Sequence, residues 1–365
     1  MLTKKKLIII HADDKSMCSV LRQHAITQVC SSGRTYGVEF LVTPEVVRDE
    51  YLLKYTIAVV VGRPMNERSC SIVEHYGRLK HRFGFRVIVD YDDVLWDVGG
   101  QSLLPSYNGN KLDPVAIGNR IEGVLHHVDE VTVSTQYLGM CWLMRFGETV
   151  KVTHLPNLLP KMYYGHRVRD AAPSGKPVVV YGGSMTHFSE DDPGDFSGPW
   201  IPWLDKCLAD DRIELHMFGT VPSWLQQHES KIVTHHYVPA AVWGSTLRDI
   251  NGDVFIAPLA ASPFNSAKSE LKLLEASACG MAFMGSHWEN GPYGRAHQLS
   301  KVDNSWSSDR MMSAFDDVLA NYLDITHYQD DLIEHNYLEH QSNVMGVLDI
   351  YCRGLLDGEI PAESK

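Results

Sequence analysis

The sequence predicts an α/β protein built on two parallel sheets wrapped by helices. Three observations carry that expectation: short Val- and Ile-rich runs recur, longer segments of helical spacing separate them, and the series occurs twice. A run that is apolar at every position is a strand buried on both faces, which a parallel sheet covered by helical crossovers provides. The first series is LIII (7–10), VEFLV (38–42), IAVVV (57–61), RVIVD (86–90), EVTVS (130–134) and VKVTHL (150–155). The second is PVVVY (177–181), IELHMF (213–218), KIVTH (231–235), DVFIA (253–257) and MAFMG (281–285). Helical spacing falls at 68–82, 136–146, 239–250 and 266–279. Two such series imply two Rossmann-like domains with a ligand cleft between the carboxyl ends of their sheets.

Pro and Gly break the periodicity near 160–176, which sets a first domain at 1–165 and a second at 166–310. A helical tail over 311–365 is expected to pack back towards the first domain.

A chain of 365 residues suits two domains, and 44% apolar with 21% charged residues is ordinary globular composition. The net charge of −12 argues against a broad basic surface for nucleic acid. Seven scattered cysteines without a CxxC pair read as buried thiols in a reducing compartment. The start, MLTKKKLIIIHADD, has too short an apolar run for a secretory leader and reads as a first buried strand. No stretch reaches the length of a membrane span, and a cytoplasmic location is expected.

The segment DVFIAPLAASPFNSAKSELKLLEASACGMAFMGS (253–286) reads strand, loop, helix, strand. On one helix, Lys272 and Glu275 would lie roughly 40° and −20° from Lys268, so all three would share a narrow face. Leu271, Leu274 and Ala278 form the neighbouring apolar face. Two lysines one turn apart repel unless an anion sits between them, and the helix start favours that anion. A carboxylate one turn on can accept both hydroxyls of a ribose diol. Diphosphate plus ribose is the handle shared by nucleotide sugars. The bland alternative is a solvated helix face with an ion pair.

FNSAKSELKLLEASACG resembles the F-N-x-x-K-S-x-L-K-x-L-E-x-x-x-x-G segment of retaining GT-B glycosyltransferases, in the branch with bacterial polysaccharide and phage-encoded sugar transferases. IAVVVGRP (57–64), RVIVDYDDVLWDV (86–98), DEVTVSTQYLG (129–139), VTHLPN (152–157) and VVVYGGSMTH (178–187) resemble other pieces of that family in the expected order. The resemblance implies a GT-B fold, with two Rossmann-like domains facing across a cleft, and a donor site in the second domain. It implies ribose on Glu275, with Asn265 to Ser269 facing the donor phosphates and sugar. It also implies metal-independent transfer, with a UDP- or GDP-sugar as donor and no permanently bound cofactor. Two departures stand out. Ala267 occupies the position of a usual glutamate, and the Arg/Lys pair after the first strand of the donor domain is missing from GGSMTHFSEDDPGDF.

The expected site follows. Lys268, Ser269 and Lys272 neutralise the leaving diphosphate, with Gly182 and Gly183 as a turn that approaches the ligand. Asn265 binds the donor, and His187 donates to phosphate or sugar or caps the following segment. Asp92 and Asp93 line the cleft on the acceptor side with Arg63 and Arg22. Asp90, Asp92 and Asp93 could instead cap a loop. His126–His127 and His235–His236 are neighbours that point apart, so no metal is assigned. The expected reaction is transfer to an acceptor glycan with retention. The alternatives are a phage-type enzyme acting on hydroxymethylated bases in DNA, in the host cytoplasm, a nucleotide-sugar epimerase, or a non-catalytic nucleotide-sugar binder.

Overall fold

The computed structural model describes residues 6–12, 17–32, 37–104, 112–183, 187–188, 192–219 and 221–353. The chain forms two compact units. The first combines the chain up to Ser102 with Asp113–Pro160 and the stretch from Leu338 onward; the second centres on Lys161–Tyr337.

The first unit holds strands β1 (Leu7–His11), β2 (Glu39–Val42), β3 (Thr56–Gly62), β4 (Arg86–Tyr91), β7 (Glu130–Val133) and β8 (Lys151–His154), with a small antiparallel hairpin of β5 (Asp97–Val98) and β6 (Gln101–Ser102). The six longer strands are parallel in the order β2-β1-β3-β4-β7-β8. Ile8, Ile9, Ile10, Val59, Val60, Val87, Ile88 and Val131 are buried, so each strand spends its apolar run on both faces. The helix Glu67–Phe83 begins at an Asn66–Ser69 capping box and stops at Gly84, whose φ of 68° is open to glycine. Tyr91, Trp96, Trp142 and Phe146 pack edge to face beside the hairpin.

The second unit holds β9 (Val178–Tyr181), β10 (Glu214–Phe218), β11 (Ile232–His235), β12 (Val254–Ala257), β13 (Ala282–Ser286) and β14 (Lys301–Val302). All are parallel, in the order β11-β10-β9-β12-β13-β14. In each sheet the first strand has neighbours on both sides, which makes β1/β3 and β9/β12 the switch points where α/β sheets place ligands.

Three expectations change. The boundary falls at Pro160/Lys161. The tail is not one element: Ser308–Ala320 and Tyr322–Glu334 belong to the second unit, because Met311, Phe315, Val318 and Ile325 complete its apolar core. Gln329 ties the latter helix to β13, accepting from Phe283 N at 3.0 Å and donating to Met281 O at 2.9 Å. Only Gln341–Cys352 lies in the first unit, where Arg86 donates to Ile350 O at 3.0 Å. The tail beyond Arg353 lies outside the described residues. The third change concerns the helix expected over 266–279, which is a four-residue turn, Pro263–Ser266, followed by a separate helix, Leu271–Ala278.

Candidate functional site

That break rearranges the lysines. Ser262 caps the turn by accepting from Asn265 N at 3.1 Å, Pro263 opens it, and the chain leaves helical geometry after Ala267. Lys268 and Ser269 therefore sit in a loop, half-buried, and only Lys272 and Glu275 share the helix. The single-face arrangement is corrected; the clustering of charge is kept by the loop. Lys268 Nζ lies 4.8 Å from the Phe264 ring centroid.

Glu275 is 4% exposed, and its Oε1 accepts from Tyr164 Oη at 2.7 Å and Trp243 Nε1 at 2.8 Å. Among the described residues its Oε2 takes no hydrogen bond. Burial raises its pKa above the usual carboxylate range, against the pull of Lys272 and of the two donors. Lys272 Nζ donates to Gly182 O and sits 5.5 and 5.9 Å from the Tyr181 and Phe255 ring centroids. Burial lowers its pKa to about 8; Lys268 adds to that shift, while Glu275 and Asp195 oppose it. An ammonium held by a carbonyl and ring faces has no counter-charge of its own, and an added anion would restore its full protonation.

Gly182 and Gly183 follow β9, where the sequence places a turn. A Cβ on Gly182 would lie 2.7 Å from the Trp243 ring, and one on Gly183 would lie 2.2 Å from Tyr181 Oη. The protein's own rings thus fill the space the glycines leave. Ser184–Thr186 and Ser189–Asp191, from the same expected turn, lie outside the described residues.

The second part of the site was not expected from sequence. Asp195, 1% exposed, accepts from Ala260 N at 2.9 Å and Asn265 Nδ2 at 2.7 Å on Oδ1, and meets His187 Nδ1 at 2.7 Å on Oδ2. Its turn, Gly194–Phe196, is anchored by Phe196 against Tyr181, Phe188 and Trp224, at centroid distances of 4.6, 5.8 and 5.1 Å. His187 is neutral at pH 7: burial lowers its pKa to about 4, with Lys268 and Lys272 pushing the same way and Asp195 opposing. Ala267, at the departed glutamate position, is buried. The only sequence signal for Asp195 was an acid beside a glycine and an aromatic; Tyr164 and Trp243 gave none.

In the first unit, a cavity of about 480 Å³ at the β1/β3 switch point is lined by His11, Gln23, Arg63, Asn66 and Asp92, among others. Arg63 adopts φ 43°, a left-handed conformation an arginine rarely takes, and its Nη1 lies 3.7 Å from Asp92 Oδ1. Asp93 is half-buried and outside the cavity lining. Arg22 lines the cavity but is fully committed: it donates to Asp90 Oδ2 at 2.7 Å and Oδ1 at 2.5 Å, and to Leu155 O and Asn157 Oδ1 at 2.8 Å. Burial opposes its charge and Asp90 more than restores it, so its pKa rises. It is a buried structural ion pair, which corrects its expected role towards an acceptor. Asp90 also accepts from Thr132 Oγ1 at 2.5 Å, so the D-Y-D triplet does not offer two open carboxylates. Burial brings His11 to about 4, leaving it neutral as well. Among the described residues, no group of three or more His, Cys, Asp or Glu is placed to hold a metal ion. No helix is long and apolar enough to cross a membrane.

No family model and no curated protein matches the chain. Solved structures do. The chain is similar to sucrose-phosphate synthase (tll1590) from Thermosynechococcus elongatus, with TM-score 0.63 and 12% identity over 97% of this chain and 100% of that one. A glycosyltransferase from Rickettsia africae ESF-5 matches with TM-score 0.59 and 10% identity, over 98% and 100% of the two chains. Anabaena Alr3699/HepE in complex with UDP matches with TM-score 0.59 and 9% identity, over 94% and 99%. With both parallel six-stranded sheets in place and full-length likeness to such structures, the chain has the GT-B glycosyltransferase fold.

Proposed function

We propose that the chain is a glycosyltransferase that moves a sugar from a nucleotide-sugar donor to a glycan hydroxyl, with retention at the anomeric carbon. The observation that carries this reading is Glu275: a buried carboxylate clamped through Oε1 and open at Oε2, with Lys272 beside it. One open carboxylate oxygen has two lone pairs, which suits the adjacent hydroxyls of a ribose. Lys272, with Lys268 and Ser269 in the preceding loop, takes the diphosphate. The UDP complex of HepE supports testing uridine donors first.

In the transfer, the bond from the anomeric carbon to the phosphate oxygen breaks and its electron pair leaves with the nucleoside diphosphate. The acceptor oxygen forms the new bond on the same face and passes its proton to the departing phosphate. The lysines stabilise the charge that develops there, and no metal is required. The cavity of the first unit, with Arg63 and Asp92, takes the acceptor; its cations are paired with aspartates, which suits an uncharged glycan better than phosphates.

Product analysis tests this. Purified protein is incubated with a panel of UDP- and GDP-sugars and oligosaccharide acceptors. The expected products are free nucleoside diphosphate and an acceptor heavier by one sugar. An altered sugar still on its nucleotide would indicate an epimerase, and binding without turnover a non-catalytic sensor; either would overturn the transferase reading.

A further inference from the structure

The Asp195 cluster has a chemistry distinct from that of the lysines beside it. A carboxylate only accepts, so His187 Nδ1, at 2.7 Å from Asp195 Oδ2, carries the proton and Nε2 keeps its lone pair. Nε2 has no partner among the described residues. Asn265 is fixed in the same way. Its amide nitrogen gives one hydrogen to Asp195 Oδ1 at 2.7 Å and the other to Ala260 O at 2.8 Å, which determines which end is the oxygen. That oxygen, on a side chain 0% exposed, has no hydrogen-bond partner among the described residues. A buried acceptor left open in a rigid network is costly and is expected where a ligand completes it. The cluster is electrostatically continuous with the lysines: both act on His187, and Asp195 acts on Lys272.

We propose that Asp195 positions two hydrogen-bond acceptors, His187 Nε2 and Asn265 Oδ1, toward hydroxyl groups of the transferred sugar, making the pocket selective for neutral sugars that keep those hydroxyls. This rests on the donor assignment above and names its substrate class. The lysines supply positive charge for the diphosphate, and the Asp195 cluster supplies lone pairs for O–H donors. A deoxy sugar leaves a buried acceptor unmet, and a uronic acid turns a carboxylate towards lone pairs. Because the imidazole stays neutral at pH 7, His187 accepts from the sugar and does not donate to phosphate.

The test is calorimetry on the full chain with UDP and GDP, then with the glucose, deoxyglucose and glucuronate conjugates of the diphosphate that binds. For wild type, at least one deoxy conjugate and the glucuronate should bind about tenfold or more weakly than the glucose conjugate. Equal binding of all the conjugates overturns the inference. For Asp195→Asn, the diphosphate Kd should stay within about threefold while the increment due to the sugar disappears. An equal loss for diphosphate and conjugate would show a general structural role and overturn it. Nitrogen-15 NMR of wild type supplies a readout that folding of a variant cannot obscure. His187, assigned by its loss in His187→Gln, should be the Nδ1–H tautomer at pH 7, and an Nε2–H tautomer overturns the inference. If neither diphosphate binds wild type, the donor assignment falls and this inference with it. If one binds and the sugars are not discriminated, only the inference falls.

Discussion

The two sheets share an architecture and differ in how their switch points treat charge. At β1/β3 every described cation has a carboxylate: Arg22 is bidentate on Asp90, Arg63 faces Asp92, and Arg68 meets Glu45 at 3.0 Å. At β9/β12, Lys272 rests on a carbonyl and two rings, and the nearby carboxylates are turned to other partners, Glu275 to Tyr164 and Trp243, and Asp195 to His187, Asn265 and Ala260. A site already neutralised suits a neutral ligand, and a site short of negative charge suits an anion. The same fold thus prepares two different chemistries.

The largest effect is expected on the neutralised side. Arg22→Met leaves Asp90 buried without its partner and should lower stability by about 3–5 kcal/mol in chemical denaturation. Retained stability would mean that Asp90 finds another partner and that charge pairing does not organise this switch point. On the other side, Glu275→Gln should weaken nucleoside diphosphate binding by about 2–3 kcal/mol by calorimetry, since the charged acceptor for two hydroxyls becomes a neutral one.

Lys272 sharpens the contrast through pH. Its pKa near 8 rises when a diphosphate binds, so affinity should fall as pH increases through and above 8. Lys272→Arg, charged throughout, should flatten that profile, and an unchanged slope would place the anion elsewhere. The same depressed pKa makes the unfolded chain bind more protons between about 8 and the ordinary lysine value, so this residue's contribution to stability rises with pH in that window. The neutral histidines have the opposite consequence in acid. For His187 and His11, unfolded protein takes up protons below about 6.5 and folded protein only near 4, so stability should drop as pH falls between those values. His187→Gln should make that drop shallower.

The smallest effect concerns Arg63. Glycine tolerates φ 43° without strain, so Arg63→Gly should raise stability by about 1 kcal/mol or less while lowering transfer to acceptor. A gain in stability with full transfer would remove Arg63 from the acceptor side.

Strands were legible because burial on both faces leaves no polar alternation to misread: IAVVV became Thr56–Gly62 almost unchanged. The β5/β6 hairpin and β14 were not, since two-residue strands carry no period. The run from 266 reads as continuous helix by propensity, yet Ser262-Pro263 already marks an earlier start, and the side chain of Asn265 is drawn to Asp195. Glu275 could be singled out by its neighbours in sequence. Asp195 could not, because its partners lie 8, 65 and 70 residues away. Arg22 met the same obstacle, with Asp90 68 residues distant. Gly182 shows the converse error: a missing Cβ was read as room for a ligand, and Trp243 and Phe255 occupy it.

The most direct test of the central claim is thermal unfolding of wild type and Glu275→Gln with UDP and GDP. A diphosphate at a hundred times its Kd should add about 2.7 kcal/mol to wild type, seen as a raised Tm, and leave the variant nearly unmoved. An unshifted wild type with both nucleotides, or an equal shift in the variant, would contradict a nucleotide site built on Glu275.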